Sequence, residues 1–209
     1  MIIDYRKAID QRCGKEFYVH NDIIVTPFWT EDFCQTMIDL AEINAEKFRK
    51  EVSFIGGGQS GIGWHDVLLN EISNELVEEY VSQYQRLICP LIEEVYECGD
   101  PITGWFNPYI IKYDRIGQNN NLHNDVSLIT LNIKLNNDYE GCELIFPRQN
   151  FNSKDVPVGH AMIWPSTVTH PHVTSDLVNG RKFSFVSWTW PPSWNKDGIP
   201  NLKNAVEFG

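Results

Sequence analysis

The second half of the chain carries the pattern that most restricts the fold. From Trp105 to Trp190, short apolar and β-branched runs alternate with turn sequences rich in Asn, Asp and Gly. Short strands separated by turns at this spacing are typical of an antiparallel sandwich or barrel. We therefore expect the second half to form a double-stranded β-helix, that is, a cupin-like jelly roll.

One predicted strand in this half indicates which side of a sheet holds a site. The run from Ser127 to Leu135 alternates cleanly between two faces. One face consists of Ile and Leu and is expected to pack in the core. The opposite face carries Thr130 and Asn132, whose polarity predicts a lined pocket rather than a surface in bulk solvent.

The first half has the spacing of helices, which would pack outside the barrel. We predict one helix over residues 30–48, capped by Thr30, and a longer one over residues 73–97, interrupted at Pro90. Apolar runs between Glu16 and Phe28 predict one or two strands before the helices. The expected fold class is α+β, mainly β.

A single domain over residues 1–209 is the simplest organisation for this length. Residues 1–105 would supply helical support with N-terminal strands, and residues 106–190 the β core. The sequence fits equally well a domain cut from a longer multidomain protein.

The chain is acidic, with a formal net charge of −11. Nucleic acid would be repelled, so we expect no nucleic-acid partner, and a basic substrate is slightly favoured. The sequence has no apolar stretch long enough for a transmembrane segment and no signal-peptide pattern at its start. The compartment is therefore not indicated.

Two further features argue against other kinds of site. The five cysteines are an odd number without CxxC spacing, which disfavours a zinc ribbon or a full disulfide framework but leaves one or two bridges open. Residues 54–63 are glycine-rich but lack the Lys-Ser/Thr ending of a phosphate-binding loop. We expect a mobile loop beside an active site there.

A metal site is predicted from two separate segments. His123 and Asp125 would point to the same face of a strand. Two histidines and one carboxylate with open positions opposite them form the facial triad of non-haem Fe(II) oxygenases. The second histidine is His170 or His172, because the intervening Pro171 keeps the segment extended and turns both to the same side.

At these residues the sequence resembles the C-terminal oxygenase domain of the procollagen lysyl hydroxylases. The segments that carry the resemblance are Leu122–Asn136, Tyr139–Cys142, Thr169–His172, Gly180–Lys182 and Val186–Ser187. Weaker similarity covers Val25–Thr30, Asp66–Ile72 and Tyr109–Tyr113. The resemblance covers most of the chain and is gapless from residue 169 to residue 187. It implies that the three metal and catalytic residues are His123, Asp125 and His172.

The resemblance also implies a site for 2-oxoglutarate, whose distal carboxylate needs a cation. The family has Arg at the position that falls here on Lys182, while Arg181 lies one residue early. Neighbouring strand residues face opposite ways, so only one of the two enters the barrel, and Ser184 shares the face of Lys182. Tyr113 and Asn132 match further positions that contact 2-oxoglutarate in the family.

The implied activity is hydroxylation of peptidyl lysine at C5 in collagen-like sequences, with decarboxylation of 2-oxoglutarate to succinate. Fe(II), 2-oxoglutarate, O2 and L-ascorbate would be required, a homodimer is expected, and family members act in the endoplasmic reticulum lumen. Asp66 and Glu143 are candidate partners for the substrate ammonium. A prolyl hydroxylase and a non-catalytic jelly-roll binding module are the alternatives.

Overall fold

The structure is a computed structural model that describes residues 3–49, 64–97, 104–190 and 205–207. The glycine-rich segment 54–63 lies outside the described residues. The helices are α1 (Glu31–Ile43), α2 (Leu69–Ile72), α3 (Asn74–Gln83) and α4 (Cys89–Tyr96). The strands are β1 (Tyr18–His20), β2 (Ile23–Pro27), β3 (His65–Leu68), β4 (Gly104–Tyr113), β5 (Asn120–His123), β6 (Ile129–Lys134), β7 (Tyr139–Gly141), β8 (Leu144–Phe146), β9 (Phe151–Asn152), β10 (His160–Pro165), β11 (His172–Thr174), β12 (Leu177–Gly180), β13 (Lys182–Trp190) and β14 (Ala205–Glu207).

The strands form two main antiparallel sheets. The larger sheet has the order β1-β2-β10-β6-β13-β4-β14, with β3 also paired to β4. The smaller sheet has the order β5-β11-β8-β9, and β7 pairs separately with β12. Side chains of the two sheets meet, as where the ring centroids of Phe146 and Trp164 lie 4.9 Å apart. Within the described residues neither sheet closes on itself, and the predicted jelly-roll class, mainly β with few helices, is confirmed.

Strand β6 lies in the middle of the larger sheet and has the predicted two faces. Ile129, Leu131 and Ile133 are buried in the main hydrophobic cluster, which also contains residues of α1, α3 and α4. The opposite face, with Thr130 and Asn132, lines a pocket between the sheets. The helices therefore cover one face of the larger sheet, as expected, and leave the other face to the pocket.

The predicted helices are present with different ends. The Thr30 hydroxyl accepts a hydrogen bond from the Phe33 amide at 3.3 Å and caps α1. The α-helix ends at Ile43 rather than near residue 48. A 3₁₀ turn over Ala45–Lys47 follows it. The second predicted helix is broken by a π-helical turn over Tyr84–Ile88, which accommodates the missing amide hydrogen of Pro90.

The described residues also show whether the cysteines are paired and whether a helix could span a membrane. Cys13, Cys34, Cys89 and Cys142 are free thiols, so no disulfide joins them. Among the described helices, none has the length and apolar character needed to cross a bilayer.

Candidate metal centre and active-site pocket

The pairing of β5 with β11 brings the two predicted metal segments together. His123 and His172 are direct partners across these antiparallel strands. Strand β5 ends at His123, so the expectation that Asp125 continues the same strand is wrong, and Asp125 lies in the connection to β6. Its carboxylate nevertheless turns toward both rings, with Oδ1 3.4 Å from His123 Nε2 and Oδ2 3.7 Å from His172 Nε2. Ligand-type atoms of all three residues lie within 4.8 Å of one another.

Both rings are oriented by their other nitrogen. His123 Nδ1 lies 2.7 Å from the Asn121 carbonyl oxygen, and His172 Nδ1 lies 3.0 Å from the His170 carbonyl oxygen. A carbonyl oxygen only accepts, so Nδ1 carries the hydrogen in each ring and Nε2 keeps its lone pair. Since Nε2 is the atom that faces Asp125, the tautomers suit both histidines to metal ligation.

The electrostatics of Asp125 and His172 fit the same role. Burial opposes ionisation of Asp125, but His172, His123 and a hydrogen bond from Thr130 together lower the pKa of its carboxyl group. Burial lowers the pKa of His172 and favours its neutral form. A carboxylate with neutral imidazole is the donor set that suits divalent first-row metals, including Fe(II).

His170 is excluded from this cluster by its position before β11. That strand begins at His172, so the prediction that both histidines face the same side of a strand is wrong. His170 is buried elsewhere, with Nδ1 2.9 Å from the Thr169 hydroxyl and Nε2 3.3 Å from the Asn21 carbonyl oxygen. Among the described residues, His172 is the histidine that joins His123 and Asp125.

The cluster lies in a pocket between the two sheets that is open to solvent. The pocket also holds the residues predicted to bind 2-oxoglutarate: Tyr113, Asn132, Lys182 and Ser184. Arg181 lies outside it, exposed, and pairs with Glu42 at 3.4 Å. The structure therefore brings Lys182, rather than Arg181, into the same cavity as the three candidate ligands.

Lys182 is a buried cation without a carboxylate partner in the described part of the chain. Its Nζ donates a hydrogen bond to the Cys142 carbonyl oxygen at 2.7 Å and lies 5.4 Å from the centre of the Tyr113 ring. Burial lowers the pKa of Lys182. Because a buried ammonium is stabilised by a nearby anion, the pocket favours a ligand with a carboxylate.

Two buried polar atoms of the pocket wall also lack a partner among the described residues. They are the Ser184 hydroxyl oxygen and the indole nitrogen of Trp164. A buried polar group without a hydrogen bond is destabilising, so both atoms are available to a bound molecule. The sequence predicted a role for Ser184 but not for Trp164. The sole hint for Trp164 is general: the N–H group of a buried indole usually has a hydrogen-bond partner.

Neither acidic residue considered for a substrate ammonium lines this pocket. The buried Asp66 carboxylate pairs with the partly exposed Arg49, and Glu143 accepts a hydrogen bond from the Ser175 hydroxyl at 2.6 Å. Asp125 is the single carboxylate among the described lining residues. Both predicted partners are therefore already paired within the chain.

Comparison with curated proteins identifies one group of sequence relatives. The chain is 24% identical over 196 residues to the multifunctional procollagen lysine hydroxylase and glycosyltransferase LH3 of Rattus norvegicus, covering 90% of this chain and 25% of the relative. It is 26% identical over 176 residues to procollagen-lysine,2-oxoglutarate 5-dioxygenase 1 of the same organism, covering 81% and 24%. The chain thus spans about a quarter of the length of these relatives. No protein-family model matches it.

Solved structures show the same fold at low sequence identity. A Trichoplax adhaerens prolyl hydroxylase bound to a hypoxia inducible factor peptide has a TM-score of 0.64 at 15% identity, over 83% of this chain and 85% of that one. A Pseudomonas putida prolyl-4-hydroxylase has a TM-score of 0.60 at 14% identity, over 82% and 92%. The fold is therefore the jelly roll of these hydroxylases. The sequence relatives support the predicted family, since the chain is similar to procollagen lysyl hydroxylases over most of its length at 24–26% identity.

Proposed function

We propose that this chain is an Fe(II)- and 2-oxoglutarate-dependent dioxygenase that hydroxylates peptidyl lysine at C5 in collagen-like sequences. The observation that carries the proposal is the convergence of His123, Asp125 and His172 in one pocket with Lys182, a buried cation that has no carboxylate partner among the described residues. The relatives named as procollagen-lysine dioxygenases support this substrate class.

The three side chains would hold iron on one side and leave the other side of its coordination sphere open. Fe(II) bound there would supply activation of dioxygen, coupled to conversion of 2-oxoglutarate to succinate and carbon dioxide. The two Nδ1–H groups fix the rings on main-chain carbonyls, and Trp164 and Phe146 pack against His172 with ring centroids 5.2 and 5.1 Å away. The chain itself would therefore orient the ligands and keep water from one side of the metal.

Lys182 would anchor the distal carboxylate of 2-oxoglutarate, and Ser184 would donate a hydrogen bond to it. Ser184 follows Lys182 on the same face of β13, two residues along the strand. Tyr113 is the partner of Lys182 in β4, and Asn132 lies on the adjoining strand β6, so all four residues border one cavity. The buried hydroxyl of Ser184 would then gain a partner, which it lacks among the described residues.

Lysine is preferred to proline as the substrate because the sequence relatives are lysyl hydroxylases. A prolyl hydroxylase of the same mechanism is the second candidate, since the solved structures with this fold include prolyl hydroxylases. A non-catalytic binding module is the third. The requirement for ascorbate and a homodimer are further predictions from the resemblance.

Mass spectrometry of synthetic collagen-like peptides tests these candidates together. The protein would be incubated with Fe(II), 2-oxoglutarate and ascorbate and with either a Lys-containing peptide or a matched peptide that offers Pro but no Lys. We expect a gain of one oxygen mapped to Lys in the first peptide, and none in the second. Hydroxylation of Pro alone would support the second candidate. If neither peptide causes release of succinate, the result would support the third candidate, the non-catalytic binding module.

A further inference from the structure

Behind the candidate metal centre lies a group of three buried hydroxyls, here called the hydroxyl cluster: Ser127, Thr130 and Ser166. All three are at most 1% exposed. The Thr130 hydroxyl lies at the centre, 2.7 Å from Asp125 Oδ2, 2.9 Å from the Ser127 hydroxyl and 2.7 Å from the Ser166 hydroxyl. The cluster therefore contacts one carboxylate oxygen of the centre and, by these bonds, neither imidazole.

The direction of these hydrogen bonds follows from counting protons. A hydroxyl has one hydrogen to donate and two lone pairs to accept with. Thr130 donates its hydrogen to Asp125, because an ionised carboxylate only accepts. Ser127 then donates to Thr130. Ser166 has one hydrogen for two acceptors, Thr130 at 2.7 Å and the Trp164 carbonyl oxygen at 3.4 Å, and the shorter contact favours Thr130. The Thr130 hydrogen ends on Asp125 Oδ2 in either case.

The cluster also ties a loop residue to a rigid element. Asp125 lies in the β5–β6 connection, whereas Thr130 lies on β6, which pairs with β10 and β13. Ser166 follows β10, and its amide bonds to the Leu128 carbonyl oxygen at 3.0 Å. The position of the carboxylate is thus set by the middle of the larger sheet, although Asp125 itself is outside any strand.

We propose that Thr130, supported by Ser127 and Ser166, is a positioning residue that fixes Asp125 as a ligand through a single oxygen. Oδ2 accepts the Thr130 hydrogen, which weakens it as a donor to a metal and makes Oδ1 the preferred ligand atom. A carboxylate that bound through both oxygens would take one of the open positions that cosubstrate and dioxygen need. This inference rests on the proposed metal site and adds to it a determinant outside the ligands.

Binding of Mn(II), followed by electron paramagnetic resonance of the free ion, tests the proposal without turnover. Thr130→Val removes the hydroxyl and keeps a similar shape, and we expect its Mn(II) affinity to fall by about 10-fold to 100-fold. Thr130→Ser keeps the hydroxyl and should restore most of the affinity. Thr189→Val is the matched control, since Thr189 is a fully buried threonine of the same sheet that donates to the Ile129 carbonyl oxygen. It should bind Mn(II) as the wild type does.

Wild-type affinity in folded Thr130→Val would overturn the inference, as would an equal loss in Thr189→Val. If circular dichroism shows that Thr130→Val does not fold, Ser127→Ala and Ser166→Ala replace it. Each removes one donor to Thr130 and should weaken Mn(II) binding to a smaller extent; unchanged affinity in both would contradict the proposal. Absence of Mn(II) binding by the wild type would instead overturn the metal site itself, which separates the two failures.

Discussion

At the scale of single residues, Lys182 and Arg181 show how one position along a strand decides a role. They are neighbours, yet Lys182 is buried in the pocket and Arg181 is exposed beside Glu42. The alternation of side chains along β13 predicted that only one would enter the barrel. The acceptor for Lys182 could not be predicted, because it is the main-chain carbonyl of Cys142, and a backbone atom leaves no mark in the sequence.

This pair gives a matched test of the 2-oxoglutarate anchor. Lys182→Met should abolish detectable 2-oxoglutarate binding to the Mn(II)-loaded protein, since the ion pair is lost in a buried site. Arg181→Met removes an exposed charge and should leave the affinity almost unchanged. Calorimetric titration of both variants measures the difference. Equal effects of the two substitutions would contradict the assignment.

The lowered pKa of Lys182 adds a prediction about pH. Its cause is burial, which disfavours the ammonium form, so Lys182 loses its charge at a lower pH than an exposed lysine does. Affinity for 2-oxoglutarate should therefore decline as pH rises toward that pKa. In Lys182→Arg the guanidinium stays charged, and the alkaline decline should disappear. An identical alkaline decline in both proteins would show that another group causes it.

Ser184 tests whether the unpartnered hydroxyl serves a ligand. Ser184→Ala removes a buried group that has no partner among the described residues, so the free energy of unfolding of the ligand-free protein should stay the same or rise by about 1–3 kcal/mol. Affinity for 2-oxoglutarate should fall at the same time. Thermal unfolding with and without the cosubstrate measures both effects. A less stable protein with unchanged affinity would indicate a structural role instead.

At the scale of elements, sequence periodicity predicted much, and its failures have local causes. The two faces of β6 and the cap at Thr30 follow from side-chain spacing and chemistry. The ends of β5 and β11 could not be predicted in this way, because the pairing of strands in the smaller sheet determines where each strand ends. Asp125 consequently lies in a connection, and His170 lies before its strand. The pairing of Asp66 with Arg49 joins separate segments and has no local signal.

The N-terminal cap of α1 supplies a prediction at this scale. Thr30→Ala removes the acceptor for the Phe33 amide and should lower the free energy of unfolding by about 1 kcal/mol, or roughly 2–4 °C in Tm. Thr36, inside the same helix, is the control, because Ala there is a better helix former. Thr36→Ala should leave Tm unchanged or raise it. Differential scanning calorimetry compares the two, and an equal loss would contradict the capping role.

At the scale of the whole molecule, the two main antiparallel sheets of the described chain border the candidate pocket, and helices pack against the outer face of the larger sheet. This arrangement brings residues from two distant segments together at the proposed metal site. The net charge of −11 acts over the whole surface and would attract a basic peptide. The KM for a lysine-rich collagen-like peptide should therefore rise with ionic strength, as screening shortens the range of attraction. The KM for a peptide with uncharged residues on either side of the target lysine should depend less on ionic strength.

The most direct test of the account is anaerobic Fe(II) binding, with iron measured after equilibrium dialysis. We expect the wild type and His170→Ala to retain iron, and His172→Ala and Asp125→Ala to lose it. His170 is the matched control, because it is a buried histidine two residues from His172 that does not join the cluster. Loss of iron in His170→Ala with retention in His172→Ala, or retention in all three variants, would contradict a metal centre formed by His123, Asp125 and His172.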